Sequence, residues 1–251
     1  MTPSADGRAL MWEGCLNIRD LGGLPTADGE STRRGAVVRA DSVRHLSDAG
    51  WAALVGYGIG RIVDLRWHSE LAADPPSELS VETVHIPLFP EPHSDHWAEI
   101  DSLDEAIPDA VAAKGAVYLE CLERFSSSFV TAIAAIAETP SGGALVHCMG
   151  GKDRTGLVSA LLLRLADVSI EDIAEDYALS AENLRAATED WLEAAPTGEE
   201  RRRRERISLT PARAMATVLS ELESRHGGAR DYLLNAGATE DLVERARALL
   251  R

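Results

Sequence analysis

The stretch His147 to Gly156, HCMGGKDRTG, constrains this chain more than any other. An apolar run, Gly143 to Val146, precedes it and reads as a buried strand, while Leu157 to Ala166 is apolar enough for a packed helix. A strand feeding a tight turn that opens a helix aims several backbone N–H groups at one spot, and the positive end of the helix dipole adds to them. Such a cup binds an anion. Cys148 enters it first and Arg154 closes it six positions later, so a thiol and a guanidinium are expected to converge on one bound group.

The residue types suit phosphate chemistry. Beside a helix N-terminus and an arginine a cysteine is expected to ionise, which makes Cys148 a nucleophile that needs no separate base. The planar fork of Arg154 matches two phosphate oxygens better than a lysine would. Gly150 and Gly151 tolerate the backbone angles that turn successive N–H groups inward. Thr155 is a candidate hydroxyl donor to the thiolate, and Asp153 a candidate acid for the leaving oxygen. Lys152 adds a second cation at the rim. Met149, Gly150, Gly151, Lys152, Asp153 and Arg154 form the expected binding set, with His147 fixing the loop by hydrogen bonds. The loop and arginine supply the positive field that a metal would, so no metal or cofactor is expected. The competing reading makes Cys148 a small buried hydrophobe in an ordinary turn.

HCMGGKDRTG resembles the CxxxxxR signature of the cysteine-dependent phosphatases, and its Lys-Asp-Arg-Thr-Gly ending is similar to the bacterial atypical tyrosine phosphatases of the mycobacterial phosphatase B type. Asn17 to Gly23 (NIRDLGG), Asp64 to Glu70 (DLRWHSE), Asp176 to Ser180 (DYALS) and the closing stretch from Gly227 to Leu250 resemble the same family. The resemblance implies hydrolysis of phosphate monoesters through a phosphocysteine, with phosphotyrosine in proteins as substrate and inorganic phosphate as product. Phosphoinositides are the alternative substrate, and a catalytically silent phosphate-recognition module is the alternative of another class. A sulfurtransferase or arsenate reductase would need neither Thr155 nor the Lys152-Asp153 pair. In the wider superfamily the general acid sits in an upstream Trp-Pro-Asp motif. Here Trp97 has no Pro-Asp after it and Asp109 follows Ile107-Pro108, which favours Asp153 over Asp109.

The rest of the chain reads as one α/β domain, residues 1–251, with a central, mostly parallel four- or five-stranded sheet flanked by helices. Strands are expected at Val37 to Ala40, Gly60 to Leu65, Thr83 to Leu88 and Gly143 to Val146, and helices at Ser47 to Gly56, Val117 to Glu138, Ser169 to Leu179 and Thr239 to Leu250. Asp41 and Ser42 read as the cap before the first helix. Asp64, at a strand end, is a support for the loop, a second candidate acid, or the ion-pair partner of Arg66 or Arg19. The Arg19-Asp20 pair and its two following glycines read as a scaffolding turn. Residues 92–115 read as a lid insertion or a solvated one, and His93 and His96 as surface histidines, since no third ligand accompanies them. Tyr177 reads as a packed ring, and EERRRRER, Glu199 to Arg206, as a self-neutralising helix face.

With 25 basic against 41 acidic residues the net charge is -16, a field that repels nucleic acid and anionic membranes and confines any phosphate site to a local basic island. Cys15, Cys121 and Cys148 are too scattered for a disulfide framework, which suits a reducing compartment. No run approaches the ~18 apolar residues of a membrane span, and the first ten residues lack a signal-peptide pattern. The expected location is the cytoplasm, with secretion by a route needing no signal peptide left open. Nothing in the sequence marks the oligomeric state.

Overall fold

The computed structural model describes residues 7–74, 81–92 and 94–251. Five strands form one sheet: Arg19–Asp20 (β1), Val37–Ala40 (β2), Ile59–Asp64 (β3), Glu82–His85 (β4) and Gly143–His147 (β5). Their spatial order is β1-β2-β5-β3-β4, and every pairing is parallel except that of β1 with β2. β5 is the middle strand. It is buried at all five positions, which is why its sequence is a continuous apolar run rather than an alternating one.

Alternate residues divide the core between the two faces of the sheet. Val37, Val63, Ala144 and Val146 face the larger cluster, and Val38, Ile62 and Leu145 face the smaller one with Trp12, Ile18 and Leu54. The early helices are Asp48–Gly56 (α1), His68–Ala73 (α2), Asp95–Ala106 (α3), Ala110–Arg124 (α4) and Ser126–Ala137 (α5). The later ones are Asp153–Leu165 (α6), Ile170–Asn183 (α7), Arg185–Glu193 (α8), Gly198–Ser208 (α9), Ala212–His226 (α10), Ala229–Asn235 (α11) and Glu240–Leu250 (α12). Among the described residues, no helix is long and apolar enough to cross a membrane.

Two expectations change. The single helix expected over 117–138 is two, α4 and α5, broken at Phe125, whose φ of -113° and ψ of 26° leave the helical region. Phe125 instead packs with Phe89 and Trp97, so aromatic packing from outside the helix overrides an unbroken helical period. Asp41 and Ser42 do not cap α1. Ser47 does, accepting from the Gly50 amide, while Asp41 accepts from the amides of Leu16 and Asn17. Residues 92–115 are largely helical, α3 packing against α4, where Glu99 pairs with Arg124, with Ile100 2% exposed. His93 and the side chain of His96 lie outside the described residues.

Candidate active site

β5 ends at His147 and α6 begins at Asp153, so residues 148–152 form the loop between them. α6 starts four residues earlier than its apolar run suggests, which puts Asp153, Arg154 and Thr155 in its first turn. Among the described residues, no side chain caps that turn. Gly151 has φ of +63°, and a Cβ there would stand 2.3 Å from the Ala40 carbonyl oxygen, so the loop needs glycine at this position. Gly150 is a correction. It has no positive φ, and among the described residues an added Cβ would meet only Leu184, at an ordinary 3.7 Å.

Every carbonyl from Cys148 to Gly151 has a partner outside the loop's concave side. His147 Nδ1 lies 3.2 Å from the Cys148 oxygen, and the Ser42 amide donates to Met149 at 2.9 Å. Asn17 Nδ2 donates to Gly150 at 2.9 Å and to Gly151 at 3.2 Å, and Arg39 donates to Gly151 at 2.8 Å. Across a trans peptide the N–H points opposite to the C=O. The amides of Met149, Gly150, Gly151 and Lys152 therefore face the other way, toward the space before Cys148. Cys148 is 2% exposed, whereas Met149 at the rim is 40% exposed.

Arg154 is held in place by residues that follow β3. Glu70 accepts two hydrogen bonds from it, at 2.5 and 2.9 Å, the Leu65 carbonyl accepts another, and Trp67 lies beneath the guanidinium, 4.2 Å from ring centroid to carbon. Burial works against its charge, but Cys148, Glu70 and Asp153 more than offset this and raise its pKa above the ordinary arginine value. Thr155 is fully buried, and its hydroxyl has no partner among the described residues. Glu70 was legible as the end of DLRxxxE; Trp67 carried no signal.

Asp153 is clamped. Lys114 reaches it from α4 at 3.2 Å, Lys152 at 3.4 Å, and the Tyr118 hydroxyl makes a short hydrogen bond to it. Burial raises its pKa, yet the two lysines and the hydroxyl outweigh burial and hold the carboxyl well below the usual range. Lys114 and Lys152 also both donate to the Ile207 carbonyl, at 3.0 and 2.8 Å, which seats the end of α9 beside the loop. Neither Lys114 nor Tyr118 was foreseen, because nothing near them in sequence marks a contact with residue 153. Asp109, the rejected candidate acid, caps α4 instead, accepting from the amides of Val111 and Ala112.

Asp64 lies at the end of β3 in register with His147. Arg66 binds it through two nitrogens, at 2.8 and 3.0 Å, and His147 Nε2 stands 3.7 Å away. Of its two expected partners Arg66 is the one that pairs. Burial depresses the His147 pKa and keeps the ring neutral near pH 7. Burial also opposes the charge of Asp64, but His147 and Arg66 outweigh it and its pKa is lowered; with His147 neutral, Arg66 is the charge that matters.

The mostly parallel sheet, with a cysteine loop between its middle strand and the next helix, defines the cysteine-dependent phosphatase fold. The chain belongs to the tyrosine phosphatase family, whose profile matches residues 10–251, and is thereby a protein-tyrosine phosphatase. It is 30% identical over 224 residues to a tyrosine-protein phosphatase of Nostoc commune, covering 86% of this chain and 74% of that one. It is 25% identical over 276 residues to the triple specificity protein phosphatase PtpB of Mycobacterium tuberculosis, covering 94% and 97% respectively.

Proposed function

We propose that this chain hydrolyses phosphotyrosine in proteins through a phosphocysteine formed on Cys148. The observation that carries the reading is the outward tethering of four successive loop carbonyls, which leaves inward amides where three phosphate oxygens would sit. The Cys148 sulfur attacks phosphorus as the bond to the leaving oxygen breaks. Arg154 and the amides of the loop hold the charge that spreads over the phosphoryl oxygens, and Glu70 and Trp67 keep the guanidinium aligned. Asp153 gives its proton to the leaving oxygen. Water then attacks phosphorus, the S–P bond breaks, and Asp153 takes a proton from that water as phosphate departs. The unpartnered Thr155 hydroxyl suits donation to the departing thiolate.

Asp153 is anionic while Lys114 and Lys152 face it, so its acid role depends on substrate. A phosphate dianion draws Lys152 to itself and sets a like charge beside the carboxylate, and both effects favour protonation. Asp64 is read as the support that fixes His147 beneath the loop. The burial of Cys148 favours a long, slender ester such as phosphotyrosine over phosphoserine. The second reading, a phosphoinositide, draws on the paired ammonium groups of Lys114 and Lys152. Residues 92–115 and α9 are read as a cover, since Trp97 of α3 meets Trp67 edge to face and the Ile207 carbonyl accepts from both lysines. Cys15, Cys121 and Cys148 are free thiols, in keeping with a cytoplasmic location.

The test is a substrate panel of phosphotyrosine peptide, phosphoserine peptide and phosphoinositide vesicles, run with wild type and Asp153→Asn. The reading expects the tyrosine peptide to lead in kcat/KM, and the variant to lose about a hundred-fold on it. The same variant should lose far less on a substrate whose leaving group needs no proton. Equal losses on both would remove Asp153 as the acid, and vesicle turnover above peptide turnover would install the lipid reading.

A further inference from the structure

The NIRDLGG and DYALS stretches lie far apart in sequence, yet the fold joins them behind the cysteine loop. Sheet register begins the connection: Arg19 of β1 stands opposite Arg39 of β2, and Arg39 stands beside Val146 of β5, two residues before Cys148. Both arginines converge on Asp176 of α7. Arg19 Nε lies 2.9 Å from Oδ1 of Asp176, Arg39 reaches Oδ2 at 2.7 Å, and Arg8 reaches Oδ1 at 2.8 Å. Arg19, Arg39 and Asp176 are each at most 2% exposed. Burial alone would raise the Asp176 pKa, but Arg19, Arg39 and Arg8 outweigh it and drive it far below the carboxylate range.

From this anchor two arms reach the loop. Arg39 bridges Asp176 to the Gly151 carbonyl with two different nitrogens of one guanidinium. Arg19 donates to Asn17 Oδ1 at 2.7 Å, and Asn183 donates to the same oxygen at 3.2 Å. Those two donors fix which end of the Asn17 amide is oxygen, so its NH₂ must face the carbonyls of Gly150 and Gly151. Asn17 therefore holds both the peptide plane between Gly150 and Gly151 and the one between Gly151 and Lys152, while Arg39 holds the second of these. The amides on the far side of these planes are Gly151 N–H and Lys152 N–H.

We infer that Arg39 and Asn17 are positioning residues that preset these two peptide planes for phosphate, with Asp176 as their shared anchor. This rests on the phosphatase reading above and deepens it. A glycine pair is the place where such planes rotate most freely, since neither residue has a Cβ to bias them. With carbonyls turned inward, the loop would repel the anion it is built to hold. A rigid guanidinium suits the task because it spans carboxylate and carbonyl at once, a geometry that a lysine ammonium does not reproduce.

The experiment compares wild type with Arg39→Lys, which keeps the charge but loses the second arm, and with Asn17→Ala, which removes the other tether without adding charge. Four quantities are read on each: the inhibition constant of inorganic phosphate, kcat and KM separately for para-nitrophenyl phosphate, the rate of Cys148 alkylation by iodoacetamide at pH 6, and thermal stability. The expected result is a phosphate inhibition constant raised about ten-fold in each variant, the change that ~1.4 kcal/mol of lost tethering gives. KM should rise with it, and alkylation should slow because fewer amides face the sulfur. Because both arms hold the Gly151 carbonyl, the double variant should lose less than the product of the two single effects. Phosphate constants and alkylation rates within about two-fold of wild type, whether or not stability falls, would overturn the inference while sparing the phosphatase reading. A wild-type protein that phosphate does not inhibit would defeat that reading and this inference with it.

Discussion

Two sets of arginines in this protein look and behave differently. The run from Arg201 to Arg206 is the most conspicuous charge feature of the sequence, and on α9 it is largely spent on neighbours. Arg201 pairs with Glu205, while Arg203 and Arg204 pair with Glu200. Arg8, Arg19 and Arg39 are dispersed and inconspicuous, yet they meet at one buried carboxylate directly behind the cysteine loop. Local density of charge reflects helix-surface pairing in solvent, whereas burial and convergence reflect what the fold does with a charge.

The largest effect is expected at Asp176. Asp176→Ala leaves three guanidinium groups without their common partner and should cost about 3–5 kcal/mol in denaturant unfolding. A loss below about 1 kcal/mol would mean that the arginines are satisfied without it. The pH dependence follows from the depressed pKa of this carboxyl. Its contribution is fully present above the ordinary unfolded value of about 3.9, and it is lost as pH falls below that value toward the lower folded one. The stability gap between wild type and the variant should hold steady from pH 7 to about 5 and narrow only below about 4. A gap that narrows between pH 7 and 5 would contradict the sign.

The exposed run offers a smaller, graded contrast. Arg206 differs from its neighbours because it binds the Asp104 carboxylate at 2.8 Å and the carbonyls of Asp104, Ile107 and Pro108. Arg206→Ala should cost about 1–2 kcal/mol and speed amide exchange in residues 198–208. Arg203, whose side chain is 58% exposed with Glu200 at 3.8 Å, should cost no more than about 0.5 kcal/mol when replaced by alanine. Equal effects at the two positions would erase the distinction between a tethering arginine and a solvated one.

What the sequence made legible is what is local in it. The loop from His147 to Gly156 is contiguous, so its strand, turn and helix could be read together, and four strands of the mostly parallel sheet followed from short apolar runs, while β1, the polar pair Arg19–Asp20, did not. The break at Phe125 was hidden because the aromatic partners that cause it, Phe89 and Trp97, come from other segments. Lys114 reads as one more polar residue on a helix, and only the packing of α4 brings its ammonium to Asp153. The NIRDLGG stretch read as a turn because its arginine and aspartate are adjacent. In the fold they separate: Arg19 serves Asp176 and Asn17, while Asp20 accepts from the amides of Gly22 and Gly35 and from the Tyr57 hydroxyl.

The most direct test of the account is hydrolysis of para-nitrophenyl phosphate in excess chelator, with wild type beside Cys148→Ser. Turnover that survives the chelator and falls at least about a thousand-fold in the variant is the predicted result, since the attacking thiolate is gone while the cup persists. A variant within about ten-fold of wild type, or a wild-type activity that the chelator abolishes, would show that Cys148 is not the nucleophile.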